Sequence, residues 1–262
     1  MTPALDIAAL RDRVRRLEQQ SVMRHGVLPF GVAAIDRALP GGGLALGAVH
    51  EILGQGGDEE DGAAASGFAA GIAARLGPRT GKGGPVLWCL KRPDLYGPGL
   101  AEHGFDPAHL VIVRAPRDDD LLWAVEEGLR TPGLAAVIGE IGRLPMVASR
   151  RLQLAAERSG VTALLLRRWR NAGEAAAERG RPNAALTRWR IGALPSAATG
   201  EPGVGRPRWR VELLRCRGGE PAAWDVEIAD ETGFVRVSAG LADRPAASRR
   251  FGARPVPERL AG

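Results

Sequence analysis

Residues 28–54 read LPFGVAAIDRALPGGGLALGAVHEILG and run directly into GQGGDEEDGAAASG at 54–67. Val32 to Leu39 has the make-up of a short helix, stopped by Pro40 and the glycines Gly41 to Gly43. Ala48 to Leu53 is a short apolar run ending on a glycine, the pattern of a buried strand. Residues 54–67 read as a loop of small and acidic residues, and Phe68 to Leu76 as the helix after it. A strand that empties through glycines into a helix is the arrangement in which backbone N–H groups can be turned toward phosphates.

The same alternation continues outward from this unit. Val86 to Leu90 (VLWCL), Leu110 to Val113, Leu134 to Ile138 and Val161 to Leu166 read as strands. Between them Tyr96 to His103, Asp118 to Arg130 and Met146 to Ser159 read as helices. Asp118, Asp119 and Asp120 suit the positive end of the second of these. This order predicts an α/β fold with a mostly parallel central sheet and helices on both faces. From Arg188 the pattern changes to period two. Arg188 to Ala193, Arg208 to Arg217 and Trp224 to Ile228, with Thr232 to Val237 as a fourth candidate, predict an antiparallel C-terminal extension. Asn171 to Ala185, rich in Ala, Glu, Arg and Pro, reads as a loop. Residues 1–24 form a charged amphipathic helix with Leu10, Val14 and Leu17 on one face. Residues 25–240 form the main domain, and 241–262 read as a disordered basic tail.

The chain has 262 residues and a formal charge of +6. Of 36 basic residues only Lys82 and Lys91 are lysines. The segment 143–219 carries 16 arginines and five acids, a net +11, which leaves −5 for the remainder. Such asymmetry is the footprint of a face for an anionic partner or of solvated strands. No apolar run is long enough to span a membrane, and residues 1–20 lack the apolar core of a signal peptide. Cys89 and Cys216 have no metal-ligand spacing, so the expectation is a cytoplasmic protein with reduced thiols.

The tryptophans divide by context. Trp88 and Trp123 sit in apolar periodic segments and are expected in the core. Arg167, Arg168, Trp169 and Arg170, then Arg188, Trp189 and Arg190, then Arg208, Trp209 and Arg210 interleave an aromatic ring with arginines. That pattern suits stacking on single-stranded bases with phosphate pairing, and equally a strand with one apolar and one charged face. These ten residues are the candidate nucleic-acid or partner contacts. No Gly-x-Ser-x-Gly elbow is present, Cys89 reads as core, and no catalytic set is assigned.

The entrance at Leu28 to Gly54 resembles the start of the RecA ATPase core. Four stretches narrow the resemblance: WCLKRPDLYGPGLAEHGFDPAHLVIVRA (Trp88 to Ala115), LLWAVEEGLR (Leu121 to Arg130), IGEIGRLPMVASRRLQLAAERSGVTALLLR (Ile138 to Arg167) and RWRIGALPS (Arg188 to Ser196). Together they resemble the ImuA family, the RecA-like component of a bacterial DNA-damage mutagenesis cassette, over roughly residues 28–240. The resemblance implies a RecA-like core and a role in SOS-induced, error-prone translesion synthesis. It implies as partners an ImuB-like Y-family polymerase homologue and, through it, an error-prone polymerase subunit, with RecA and DNA as further contacts.

The phosphate loop that a RecA-like ATPase requires is degenerate. Such a loop needs a lysine for the terminal phosphate and a Ser or Thr for Mg²⁺. Here the position holds Gly54, Gly56, Gly57, Asp58, Glu59, Glu60 and Asp61, and four acids would oppose a triphosphate. No arginine lies between Arg37 and Arg75 to compensate. Lys82 comes about thirty residues too late, and Lys91 ends a strand. Arg92 stands where the resemblance implies a catalytic glutamate, with Asp94 displaced by two residues. Glu140 occupies the position of the metal-supporting carboxylate at the end of the third core strand and reads as vestigial. The expectation is a non-enzymatic accessory protein without a bound cofactor or metal. The alternatives are an ATPase with an unorthodox loop and a single-stranded DNA-binding module.

Overall fold

The computed structural model describes residues 24–77, 84–169, 171–196, 205–228 and 235–237. The expected N-terminal helix, Lys82, Arg170 and the expected C-terminal tail lie outside the described residues. In chain order the elements are β1 (Val27–Leu28), α1 (Ala33–Ala38), β2 (Leu44–Ala45), β3 (Val49–Gly54), α2 (Asp58–Leu76), β4 (Val86–Leu90), α3 (Gly97–Ala101), β5 (Leu110–Arg114), α4 (Asp118–Arg130), β6 (Ala136–Ile141), α5 (Met146–Ser159), β7 (Thr162–Arg167), α6 (Ala172–Arg179), β8 (Thr187–Leu194), β9 (Arg208–Cys216), β10 (Ala222–Ile228) and β11 (Val235–Val237).

Among the described residues one nine-stranded sheet runs β5-β4-β6-β7-β3-β8-β9-β10-β11, and β1 pairs with β2 beside it. From β5 to β8 every neighbour pair is parallel. From β8 to β11 every pair is antiparallel. The fold is therefore α/β, with a mostly parallel sheet and antiparallel strands at its C-terminal end. Side chains alternate between the two faces, as the pleat requires. Ile52, Trp88, Ile138 and Leu164 join Phe68 of α2 on one face. Cys89, Val137 and Leu165 join Leu121, Val125 and Leu152 of α4 and α5 on the other.

Several elements differ from the sequence expectation. α2 begins at Asp58, ten residues before the expected Phe68. Its first turn holds Asp58 and Asp61, where the helix dipole favours anions. Its remaining length is mostly alanine and glycine because it lies close to its neighbours. A Cβ on Gly67 would stand 2.4 Å from Nε2 of His103. Residues 171–185 are likewise not all loop, since α6 forms there with the Asn171 side chain accepting from the Glu174 N–H at 2.9 Å. That is a side-chain cap. The β6 strand lies later than Leu134 to Ile138 and reaches Ile141, which carries Glu140 to the sheet's carboxyl edge.

His50, the second residue of β3, is fully buried. Nε2 donates to the Ala45 carbonyl at 2.8 Å, so Nδ1 accepts from the Thr187 hydroxyl at 2.8 Å. The indole of Trp189 donates to that same hydroxyl at 2.7 Å. Burial holds the imidazole down, from 6.5 to about 4. Between these values the unfolded chain takes up a proton that the folded chain refuses, so stability is lost as pH falls through this window. The expected loss is on the order of 3 kcal/mol. Urea unfolding at pH 6.5 and pH 4 measures it, and His50→Gln is expected to flatten the dependence.

Candidate functional site

Parallel α/β sheets bind ligands beyond the carboxyl ends of their strands, where the chain's route changes direction. Here the chain leaves β3, between β7 and β8, and passes through α2 to β4 on the far side of β6 and β7. The turn Gln55 to Gly57 lies at this edge, with the ends of β6 and β7 beside it.

The turn's polar groups are satisfied by protein. The Gln55 N–H donates to the Ile191 carbonyl at 2.8 Å. The Gly56 N–H donates to the Asp61 carboxylate at 2.6 Å, and the Gly56 carbonyl accepts from Arg179 at 2.5 Å. Asp61 also accepts from the Ala193 N–H at 2.7 Å. None of Gly54, Gly56 and Gly57 has positive φ. The alternation of right- and left-handed residues that makes an anion nest is therefore missing. Asp61 occupies, as an internal anion, the position from which a phosphate would meet the Gly56 N–H.

Asp58 faces Arg168, just past the end of β7. Arg168 donates through Nε and Nη2 to Asp58, each at 2.9 Å. It donates through Nη1 and Nη2 to Asp94 at 3.0 and 2.8 Å, and through Nη1 to Glu140 at 2.8 Å. Arg92 joins Asp58 from outside at 2.5 Å. Glu140 is buried and also accepts from the Trp88 indole at 2.9 Å. Burial pushes its carboxyl above the ordinary range, and the Arg168 charge opposes that rise. Asp94 is held below the carboxylate range by its hydrogen bond from Arg168. Burial alone would lower the Arg168 guanidinium, but the bonds to Asp58 and Asp94 and the charge of Glu140 outweigh it. What remains beside Arg168, between Gly54 and Trp169, is a hollow with room for about one water molecule.

A second network lies one residue back along β7. Arg167 and Glu51 are each 1% exposed and bonded at 2.5 Å. Glu51 also accepts from Asn183 at 2.9 Å and from Arg188. Arg167 further donates to Glu178 at 3.1 Å and to the Gly142 carbonyl at 2.8 Å. The Trp169 ring meets the guanidinium groups of Arg167 and Arg179, with Cζ 5.4 and 5.5 Å from its centroid. Its N–H donates to the Gly142 carbonyl at 2.9 Å. Sequence reading gave Glu51 no role, because an acid inside a strand shows no partner in its own neighbourhood.

The remaining sequence candidates lie on the antiparallel strands. Arg190 stands opposite Glu212 and donates to it at 2.6 Å, and Arg210 stands opposite Asp225 and donates at 2.8 Å. Arg208 faces Glu227 at 3.7 Å. These are cross-strand ion pairs of the ordinary kind. Trp189 and Trp209 are buried in an aromatic cluster with Phe30 and Phe68. The rings of Trp169, Trp189 and Trp209 are thus out of reach of a stacking base. Trp123, expected in the core, is 63% exposed on α4. Helix periodicity places an apolar residue on a face but does not say which face the sheet covers.

Fold and site together define an α/β protein whose sheet edge, the customary ligand position, is closed by the chain's own ion pairs. No family model matches the chain. Proteins from two strains of Caulobacter vibrioides, each named Protein ImuA, are 41% identical to it over 240 residues, covering 86% of this chain and 96% of each relative. The chain belongs to the ImuA family. Among the described residues no helix is long and apolar enough to cross a membrane, and no group of His, Cys, Asp or Glu is arranged to hold a metal ion.

Proposed function

We propose that the protein is a non-catalytic adaptor in SOS-induced, error-prone translesion DNA synthesis, built on a RecA-like core over residues 25–240. Its partners are an ImuB-like Y-family polymerase homologue, through it an error-prone polymerase subunit, and RecA. It acts in the cytoplasm, with residues 1–24 and 241–262 as docking elements.

The observation that carries the reading is the Arg168 guanidinium bonded to Asp58, Asp94 and Glu140 at the mouth of β3. A nucleotide there would have to displace an internal cation from three carboxylates and then face those carboxylates with its own negative charge. The lysine and hydroxyl that would offset this are absent, since Asp58 to Asp61 fill their place. Family membership supports the DNA-damage setting. A fold whose ligand position is closed acts through its surface.

Isothermal titration with Mg–ATP tests the reading, with a lysine-containing RecA-type ATPase as positive control. The expected result is no saturable heat up to millimolar nucleotide. Saturable binding would put an ATPase with an unorthodox loop first. Salt-sensitive capture of single-stranded DNA, lost on replacing Arg188, Arg190, Arg208 and Arg210, would favour the DNA-binding module.

A further inference from the structure

The outer face of α4 and α5 has no role in the networks at the sheet edge. Both helices return from parallel strands on the same side of the sheet, so they run parallel to each other. Arg151 of α5 is ion-paired with Glu126 of α4, which sets their register. One turn earlier on each helix stand Trp123 and Val147, and one turn later on α5 stands Leu154. Trp123, Val147 and Leu154 are 63%, 71% and 51% exposed. The exposed residues of α5 are Val147, Arg150, Arg151, Leu154, Arg158 and Ser159, with no acid among them. Glu126 is buried and bonded to both Arg130 and Arg151. Arg150 and Arg158 have no acidic partner among the described residues.

We infer that this face is the docking surface for an acidic, amphipathic segment of a protein partner. A tryptophan left in water is a large apolar surface awaiting cover, and Trp and Arg are the residues that most often dominate protein interfaces. Val147 and Leu154 extend the apolar strip along a ridge suited to an apolar helix face. Val147 and Leu154 themselves offer nothing to a base or a phosphate, and their place beside Trp123 favours a protein over a nucleic acid as the occupant. Arg150 and Arg158, without an acidic partner among the described residues, lie along the α5 side of the strip and call for carboxylates around the partner's apolar side chains, whereas the α4 side carries the exposed Asp119 one turn before Trp123. The inference rests on the adaptor reading, and to the terminal docking elements of that reading it adds a surface on the folded domain with a stated chemistry.

The test titrates the full chain against the purified cassette polymerase homologue. Trp123→Ala is expected to weaken binding tenfold or more, and the pair Arg150→Glu with Arg158→Glu to weaken it comparably. Circular dichroism melting should be unchanged for both, since these side chains are in water, and Val147→Asp provides a third independent variant. Equal affinity for wild type and variants overturns the docking surface and leaves the adaptor reading intact. Absence of binding by the wild type overturns both. Capture of a single-stranded oligonucleotide by the wild type, lost in the same variants, assigns the face to nucleic acid and overturns the protein partner.

Discussion

Replacing Arg168 with alanine is expected to lower the unfolding free energy by about 3 kcal/mol, at the lower end of the cost of breaking a buried ion pair. The loss comes from what the guanidinium leaves behind. Glu140 would keep only the Trp88 indole as a donor, in a site that is 3% exposed. Asp58 would keep Arg92, while Asp94 is exposed enough to be solvated. The pH dependence should change direction as well. In the wild type the depressed Asp94 contributes stability above the ordinary carboxylate range that is lost as pH falls through its lowered value. The raised Glu140 acts oppositely, costing stability as pH rises through its elevated value. Without Arg168 the Asp94 contribution shrinks to what Arg92 and the backbone supply and the Glu140 penalty grows, so this cluster should stabilise the variant on mild acidification. Urea unfolding from neutral pH down to the carboxylate range measures both effects. A loss below about 1 kcal/mol with an unchanged pH slope would mean that the cluster behaves as a surface pair.

Glu51→Ala is expected to cost about 3–5 kcal/mol, the larger of the two effects. Glu51 is the acceptor on which Arg167, Arg188 and Asn183 converge inside the protein. Its removal leaves Arg167, 1% exposed, with Glu178 as its remaining acid and with Nε already unpartnered. Arg188 would keep only the carbonyls of Arg179 and Arg181. Glu51→Gln retains the shape and part of the hydrogen bonding, so its cost should be smaller. Denaturant unfolding of the two variants separates loss of charge from loss of packing. Equal costs for both would show that the negative charge, rather than the bonds, holds the arginines.

Some of this was readable in advance. Strands β4, β7, β8 and β9 and helices α4 and α5 announced themselves through their periods, and three aspartates marked the start of α4. The cross-strand pairs also left a trace. The acids at 225 and 227 repeat at the spacing of the arginines at 208 and 210 that they meet. Other features left none. The first half of α2 opens on acids and continues in alanine and glycine without an apolar stripe, and such a run has the composition of a loop. Trp123 has the same periodic neighbours as a core residue, and only the packing of α4 on the sheet turned it outward.

The sequence by itself determined the alternation of strands and helices, the change from parallel to antiparallel sheet, and the absence of a phosphate-binding lysine and hydroxyl at the mouth of β3. These are local properties, written in residue types and periods of two or 3.6. Only the tertiary structure decided how the site is closed. Arg168 lies 110 positions from Asp58, and Arg167 lies 116 from Glu51. The crossover connections of a parallel sheet bring strand ends together from distant parts of the chain. Arginines that read as a basic face are thereby paired with acids that read as an unsuited loop.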